Sequence, residues 1–368
     1  MSENVCPLVF RPIFRAKTWG GRNLERLLGK SLPAGESIGE SWECADLPEG
    51  QSIVAVGPAA GRTLEQVVAE WGADLLGRAV VTDGRFPLLI KFLDACQPLS
   101  IQVHPDAETA RRLGGGARPK EEMFYIVAAE PHGCVYLGVR PGVSLDELRS
   151  AAQSGEVEAL MNRVPVRAGQ AFHVPPGTLH ALGAGVVAAE VETPSDTTYR
   201  LFDWNRRRPA GDAGLHIDAA LASIRLDDRP PEPPPRQHVA GLFTAVSTLV
   251  ECPAFKVEKV RFIEGMEMEI PYAELVVWVV LEGRGAVLHG RGGRQPFMRG
   301  DVVVLPAALP SARLKTETDC VWLEVTIPVP SDLAEFRRPS AAELRDQPRD
   351  SGGAVQLGVS IRRATPEC

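Results

Sequence analysis

The sequence has no C-x-x-C pair. Its seven cysteines (positions 6, 44, 96, 134, 252, 320 and 368) are scattered and odd in number. That argues against a disulfide framework or a thiolate zinc site, and for free thiols in a reducing compartment. A cytoplasmic protein is therefore expected. Long apolar runs are also missing: the most apolar stretch, residues 275–281, is far too short to span a bilayer. Residues 1–10 lack a basic region followed by an apolar core, so no secretory signal is expected. Excess positive charge is absent as well. A net charge of −7 disfavours nucleic acid or an anionic membrane as the main partner. Histidines number only seven in 368 residues, so the setting of each can be weighed singly.

What is present is a globular composition, 44% hydrophobic and 24% charged, on a chain long enough for one large core or two moderate ones. Short β-branched runs bounded by Gly and Pro recur at 122–127, 185–190, 274–281, 301–305 and 320–327. Helical patterns are fewer. Thr63 and Gln66 have capping-box form and open a helix reaching about Leu76. Ser144 and Glu147 do the same before Val164, and a third helix runs from Asp106 to Leu113, stopped by Gly114-Gly115-Gly116. The segment Gly169 to Pro175 echoes Gly300 to Pro306, each reading as turn, strand, turn. The echo sets His180 opposite Ser311. These patterns predict a mainly β fold: cupin-type sandwich or jelly-roll barrels with a small helical insertion. The Pro-rich stretch at 227–237 reads as a linker. It separates a first domain (1–230) from a second β domain (241–330) across residues 231–240. A polar tail, 331–368, is expected to be partly mobile.

The ligand candidates come next. Gln102 and His104 are two residues apart in Gln102-Val103-His104-Pro105, so on a strand they share a face. His180 follows a tight turn, Pro175-Pro176-Gly177-Thr178, and Glu122 opens an apolar strand. Two imidazoles, a carboxylate and an amide form a mixed N/O set suited to zinc with a water, and also to manganese, iron or cobalt. The alternatives are that His104 caps the next helix and that His180 is a hydrogen-bonded turn histidine. His132, His173, His216, His238 and His289 lack comparable settings; His173 is the rival, because it is expected near His180. A second cluster, Ser195-Asp196-Thr197-Thr198-Tyr199-Arg200, leads into Asp203 and Arg206. Such a loop can bind an anionic or polyhydroxylated ligand, or simply form surface ion pairs. Lys91 interrupts an apolar strand, so if it points inward it must meet an anion or water. Lys120 would share a face with Glu122. A lysine beside a divalent metal is expected to have a lowered pKa and to offer a neutral amine.

Taken in order, Trp19-Gly20-Gly21, Gly39-Glu40-Ser41-Trp42-Glu43, Gln97 to Pro105, Lys120 to Tyr125, Val174 to Ala181 and Ser195 to Trp204 resemble the type I mannose-6-phosphate isomerases, particularly the short bacterial form. The resemblance covers about residues 8–210. It implies a catalytic cupin domain, one zinc per chain (another divalent metal also fits), and a phosphorylated hexose as substrate. It implies His104, Glu122, His180 and Gln102 as metal ligands, and Arg200 as the active-site arginine. Lys120 and Asp196 match positions for proton transfer or sugar binding, and Lys91 matches a lysine near the site. The reaction implied is the interconversion of mannose 6-phosphate and fructose 6-phosphate through a cis-enediol. Phosphate contacts are expected among Lys91, Ser100 and Arg206. The second domain is expected to be metal-free, and monomer and dimer are both open. Where the family usually carries polar amides, this chain has Glu192 and Thr193. That keeps open a metal-dependent isomerase or epimerase of another phosphosugar, and beside it a non-catalytic sugar-binding cupin.

Overall fold

The computed structural model describes residues 5–79, 81, 84–207, 214–226 and 238–328. The Pro-rich segment and the tail lie outside the described residues. Strands dominate and pair antiparallel, giving the cupin-type architecture expected.

Two sheets frame the first half. The six-stranded sheet runs in the order Ala171–Val174, Glu122–Ala129, Val186–Glu192, Leu89–Ala95, Ile38–Cys44, Ile13–Gly21. The five-stranded sheet runs Met161–Pro165, Cys134–Val139, His180–Leu182, Ile101–Val103, Tyr199–Phe202. Leu93, Ile126 and Val186 of the first pack with Val135, Leu137 and Leu182 of the second.

An eight-stranded sheet covers the other face of the six-stranded one. Ile90, Phe92, Met123 and Val191 join Val257, Val279 and Leu323 in one core. The six-stranded sheet is thus buried on both sides, which explains why Leu89–Ala95 reads as a continuous apolar run rather than an alternating one. The eight-stranded sheet also takes in the N-terminus. Leu8–Arg11 lies between Val302–Leu305 and Ile53–Val54, with Leu8 opposite Val304.

With a four-stranded partner sheet, the eight-stranded sheet encloses a second core of Trp278, Trp322, Phe297 and Val287. The two indoles lie 4.6 Å apart, and both donate to Glu324 Oε2, at 3.1 and 3.4 Å. Aromatic rings fill this barrel, where the first barrel gathers ionisable groups.

The helix caps follow the sequence. Thr63 and Gln66 form the capping box of Leu64–Trp71, Ser144 and Glu147 that of Leu145–Ser154, and Asp106 caps Ala107–Leu113. One expected helix is shorter: Gly72 adopts φ 47° and ψ −117°, which breaks the run before Leu76 and leaves Ala73–Leu76 as a separate turn. Asn23–Leu28 and Ile217–Ser223 are helices not anticipated from the sequence.

Candidate active site

Three strands of the five-stranded sheet bring the first residues together. Gln102 pairs with His180 on one side and with Arg200 on the other. His104 lies one residue beyond the end of the Gln102 strand. The turn before His180 is held against it, because Gly177 N–H donates to His104 O at 2.8 Å. Gly177 sits at φ 89°, a conformation that favours glycine. From the opposite sheet comes Glu122, fully buried at the start of its strand.

The tautomers of the two histidines can be assigned from their partners. His104 Nδ1 is 2.9 Å from Thr197 O, and His180 Nδ1 is 2.9 Å from Thr178 O. A carbonyl only accepts, so each Nδ1 carries a proton and each ring turns its Nε2 inward. Burial, with Lys120 nearby, lowers the His104 pKa to about 4, so that ring is neutral at neutral pH. Both Nε2 atoms point at Glu122, His180 at 2.8 Å from Oε1 and His104 at 3.3 Å from Oε2. None of these four buried atoms has a hydrogen-bond partner. Lys120 Nζ approaches Glu122 Oε2 at 2.9 Å, but as an ion pair off the hydrogen-bond direction. Four polar atoms facing one another without hydrogen-bond partners are costly in a protein interior. The arrangement fits a cation: N, N and carboxylate donors with their second nitrogens fixed by backbone carbonyls. The three side chains form a group able to hold a metal ion. His104 does not cap the next helix, since Asp106 does.

Around this trio, the inner face of the six-stranded sheet carries a charge network. Lys91 lies 3.2 Å from Glu190 and 2.5 Å from Glu192, and Lys120 lies 2.5 Å from the other Glu192 oxygen. Register explains the clustering, because Glu190 is opposite Lys91 and Glu192 is opposite Glu122. Glu122, Glu190 and Glu192 thus meet Lys91 and Lys120 in a cluster where carboxyl groups outnumber lysines. Burial and Glu190 raise the Glu192 pKa to about 8, outweighing both lysines. The Lys120 ammonium is held well above its usual range: burial pushes it down, but Glu122, Glu192 and Glu190 push it up further. The lowering expected of Lys120 beside a divalent metal concerns the metal-loaded site, and these carboxylates oppose it. Lys120 is a protonated group set between carboxylates.

A cleft opens beside the network. Gln102, Lys120, Lys91, Ser100, Asp196 and Arg200 line it, as do Lys17, Trp19, Glu40, Glu190 and Thr198. Ser100 Oγ donates to Gln102 Oε1 at 3.1 Å, and the Arg200 N–H donates to His216 Nδ1 at 3.2 Å. Arg206 does not line the cleft. Its Nη1 donates to Pro98 O at 2.9 Å, and its other amino group pairs with Asp203. His173 does not join the trio either; it sits on the other face of the six-stranded sheet, 2.9 Å from Glu121.

The motifs, fold and site can now be set beside known proteins. Residues 8–125 match the phosphomannose isomerase type I catalytic domain. The chain is 34% identical over 317 residues to the mannose-6-phosphate isomerase ManA of Bacillus subtilis, covering 86% of this chain and 98% of that protein. It is 33% identical to the mannose-6-phosphate isomerase of Streptococcus mutans, over 83% of this chain and 94% of that one. The chain belongs to the type I mannose-6-phosphate isomerases. The crystal structure of the Bacillus subtilis mannose 6-phosphate isomerase superposes with a TM-score of 0.79 at 31% identity, over 87% of this chain and 99% of that one. A putative mannosephosphate isomerase from Archaeoglobus fulgidus, at 19% identity and a TM-score of 0.69, shares the fold.

Interconversion of mannose 6-phosphate and fructose 6-phosphate is thus the activity assigned to this isomerase. Its phosphosugar meets a cleft that the sequence outlined only in part. Lys17 is the main omission. It comes from a strand far from the histidine motifs and reaches the cleft through sheet order, paired with Glu40 at 2.8 Å. Trp19 and Glu40 stood inside recognisable motifs, but nothing local marked them as wall residues.

Proposed function

We propose that this isomerase works with one zinc ion held by His104, Glu122 and His180, with Gln102 as a further ligand. The observation that carries this is the convergence of two imidazole Nε2 atoms and both Glu122 oxygens in a buried space, none of the four with a hydrogen-bond partner. Nitrogen and oxygen donors without thiolate, with cleft access beside Gln102, suit a zinc site of catalytic type. Bound there, the ion would supply Lewis-acid stabilisation of negative charge on the sugar oxygens.

The chain's own residues do the rest. Isomerisation moves a proton between C2 and C1 through a cis-enediol, so charge develops on the oxygens at those carbons. Arg200, forked and permanently cationic, stabilises that charge from the cleft wall. Lys120 is protonated by its carboxylate neighbours, so it donates to a sugar oxygen rather than abstracting from carbon. Asp196, at the cleft wall on the same loop as Arg200, is the proton acceptor in this reading. Ser100 and Lys17 line the same cleft and serve the phosphate; Lys91, clamped by Glu190 and Glu192, sets the charge balance instead. Arg206 holds the loop from behind.

The test is metal depletion and reconstitution. Chelated protein is expected to lose isomerase activity and to regain it with one equivalent of zinc. Full activity in metal-depleted protein would sink the metal part. Asp196→Asn is expected to abolish exchange of the C2 proton with solvent while substrate still binds; undiminished exchange would move the base elsewhere.

A further inference from the structure

On the outer face of the six-stranded sheet, away from the cleft, three more donors meet. Glu121 precedes Glu122 by one residue and therefore faces the opposite way. His173 lies on the neighbouring edge strand, with its Cα opposite Met123. Cys252 follows the Thr244–Glu251 strand, on the far side of the Pro-rich segment. One donor atom from each lies within 4.8 Å of the others. His173 Nε2 is 2.9 Å from Glu121 Oε1. Cys252 is buried, and its thiol donates to Phe255 O at 3.3 Å.

Nucleophilic catalysis is a poor account of this group. The carboxylate contacts the imidazole, so no free base is turned to the thiol. Burial, with Glu121 adding to it, pushes the Cys252 thiol up to about 12, the reverse of an activated cysteine. A thiol, a carboxylate and an imidazole in one place have a different use: with a thiophilic cation they make a closed N/O/S donor set, and the cation removes the clash between thiolate and carboxylate. The His173 side chain is 23% exposed, which leaves room for water as a fourth ligand.

We propose that Glu121, His173 and Cys252 form a second divalent-metal site, of zinc type, that pins the two halves of the chain together outside the catalytic cleft. No local spacing announces it, because its three donors come from segments far apart in the chain. The missing C-x-x-C pair argued against a thiolate zinc site, and a single thiolate recruited across the fold runs against that expectation.

Cobalt substitution in the full-length protein tests this directly. The inner site offers only nitrogen and oxygen, so a thiolate-to-cobalt charge-transfer band can come only from the outer one. The expected result is two metal equivalents per chain, the near-ultraviolet band, and a zinc-dependent rise in Tm. Cys252→Ser should lose one equivalent and the band while keeping isomerase activity. His173→Ala, at a partly exposed position, gives the same reading should the cysteine variant fold poorly. A wild-type cobalt protein with one equivalent and no band would overturn the site. So would a band that persists in both variants.

Discussion

At the scale of single residues, the proposed roles divide into groups that would hold a metal and groups that would act on sugar, and substitution should separate them. His104→Ala and His180→Ala each remove one of two inward nitrogens and leave Glu122 facing an incomplete set. Both are expected to lose inner-site metal and activity together, measured by metal analysis and a coupled isomerase assay. Arg200→Ala should keep the metal and lower kcat by about 10²–10³-fold, the usual effect of removing one charge-stabilising donor; near-normal kcat would refute its role. His104, Glu122 and His180 were legible because each sits in a distinctive local setting: after a strand, at a strand start, after a Pro-Gly turn. The double clamp of Glu192 on Lys91 and Lys120 was not legible. It depends on strand register between segments about a hundred residues apart, which no local pattern carries. The same clamp opposes the lowering expected of the Lys120 pKa beside a metal.

At the scale of elements, caps and turns are the most readable part of this chain, because they rest on interactions within four residues. Thr63 accepts from Gln66 N at 3.2 Å, and Gln66 returns the bond at 3.0 Å. Thr63→Ala should therefore cost about 1 kcal/mol, read as a lower midpoint in urea with activity unchanged. The Gly177 turn tests whether an element can tune the metal. A Cβ there would meet Arg225 Cγ at 2.7 Å, and φ is 89°. Gly177→Ala should strain the turn, disturb its bond to His104 O, and weaken metal affinity while far-ultraviolet circular dichroism stays unchanged. Unaltered affinity would show that the turn is only a connector. The split at Gly72 escaped notice for the converse reason. A glycine inside a helical pattern is tolerated often enough that only the backbone geometry reveals a break.

For the whole molecule, the excess of buried carboxylate makes metal and pH act on the same balance. His104 has its pKa depressed to about 4 from 6.5. Its stabilising contribution is therefore complete above 6.5 and is lost as pH falls through 4, by up to about 3 kcal/mol in metal-free protein. Glu192, raised to about 8 from 4.5, acts in the opposite sense: its contribution is lost as pH rises through 8. The difference in urea stability between metal-free wild type and His104→Gln isolates the imidazole, and should grow from pH 4 to pH 7. A flat difference would show that the ring is not held neutral by burial. The β class was visible in the sequence, since it is a matter of composition and period. The crossing of Leu8–Arg11 into the sheet built largely from residues beyond 240 was not, because one short apolar strand looks the same wherever it pairs. That crossing has a consequence for synthesis. Leu8 is made long before its partner Val304. For most of translation, the opening strand keeps an unpaired edge and the larger sheet stays incomplete. A chain halted at the Pro-rich segment would lack Val302–Leu305, the strand that Leu8–Arg11 pairs with, and is expected to lose isomerase activity.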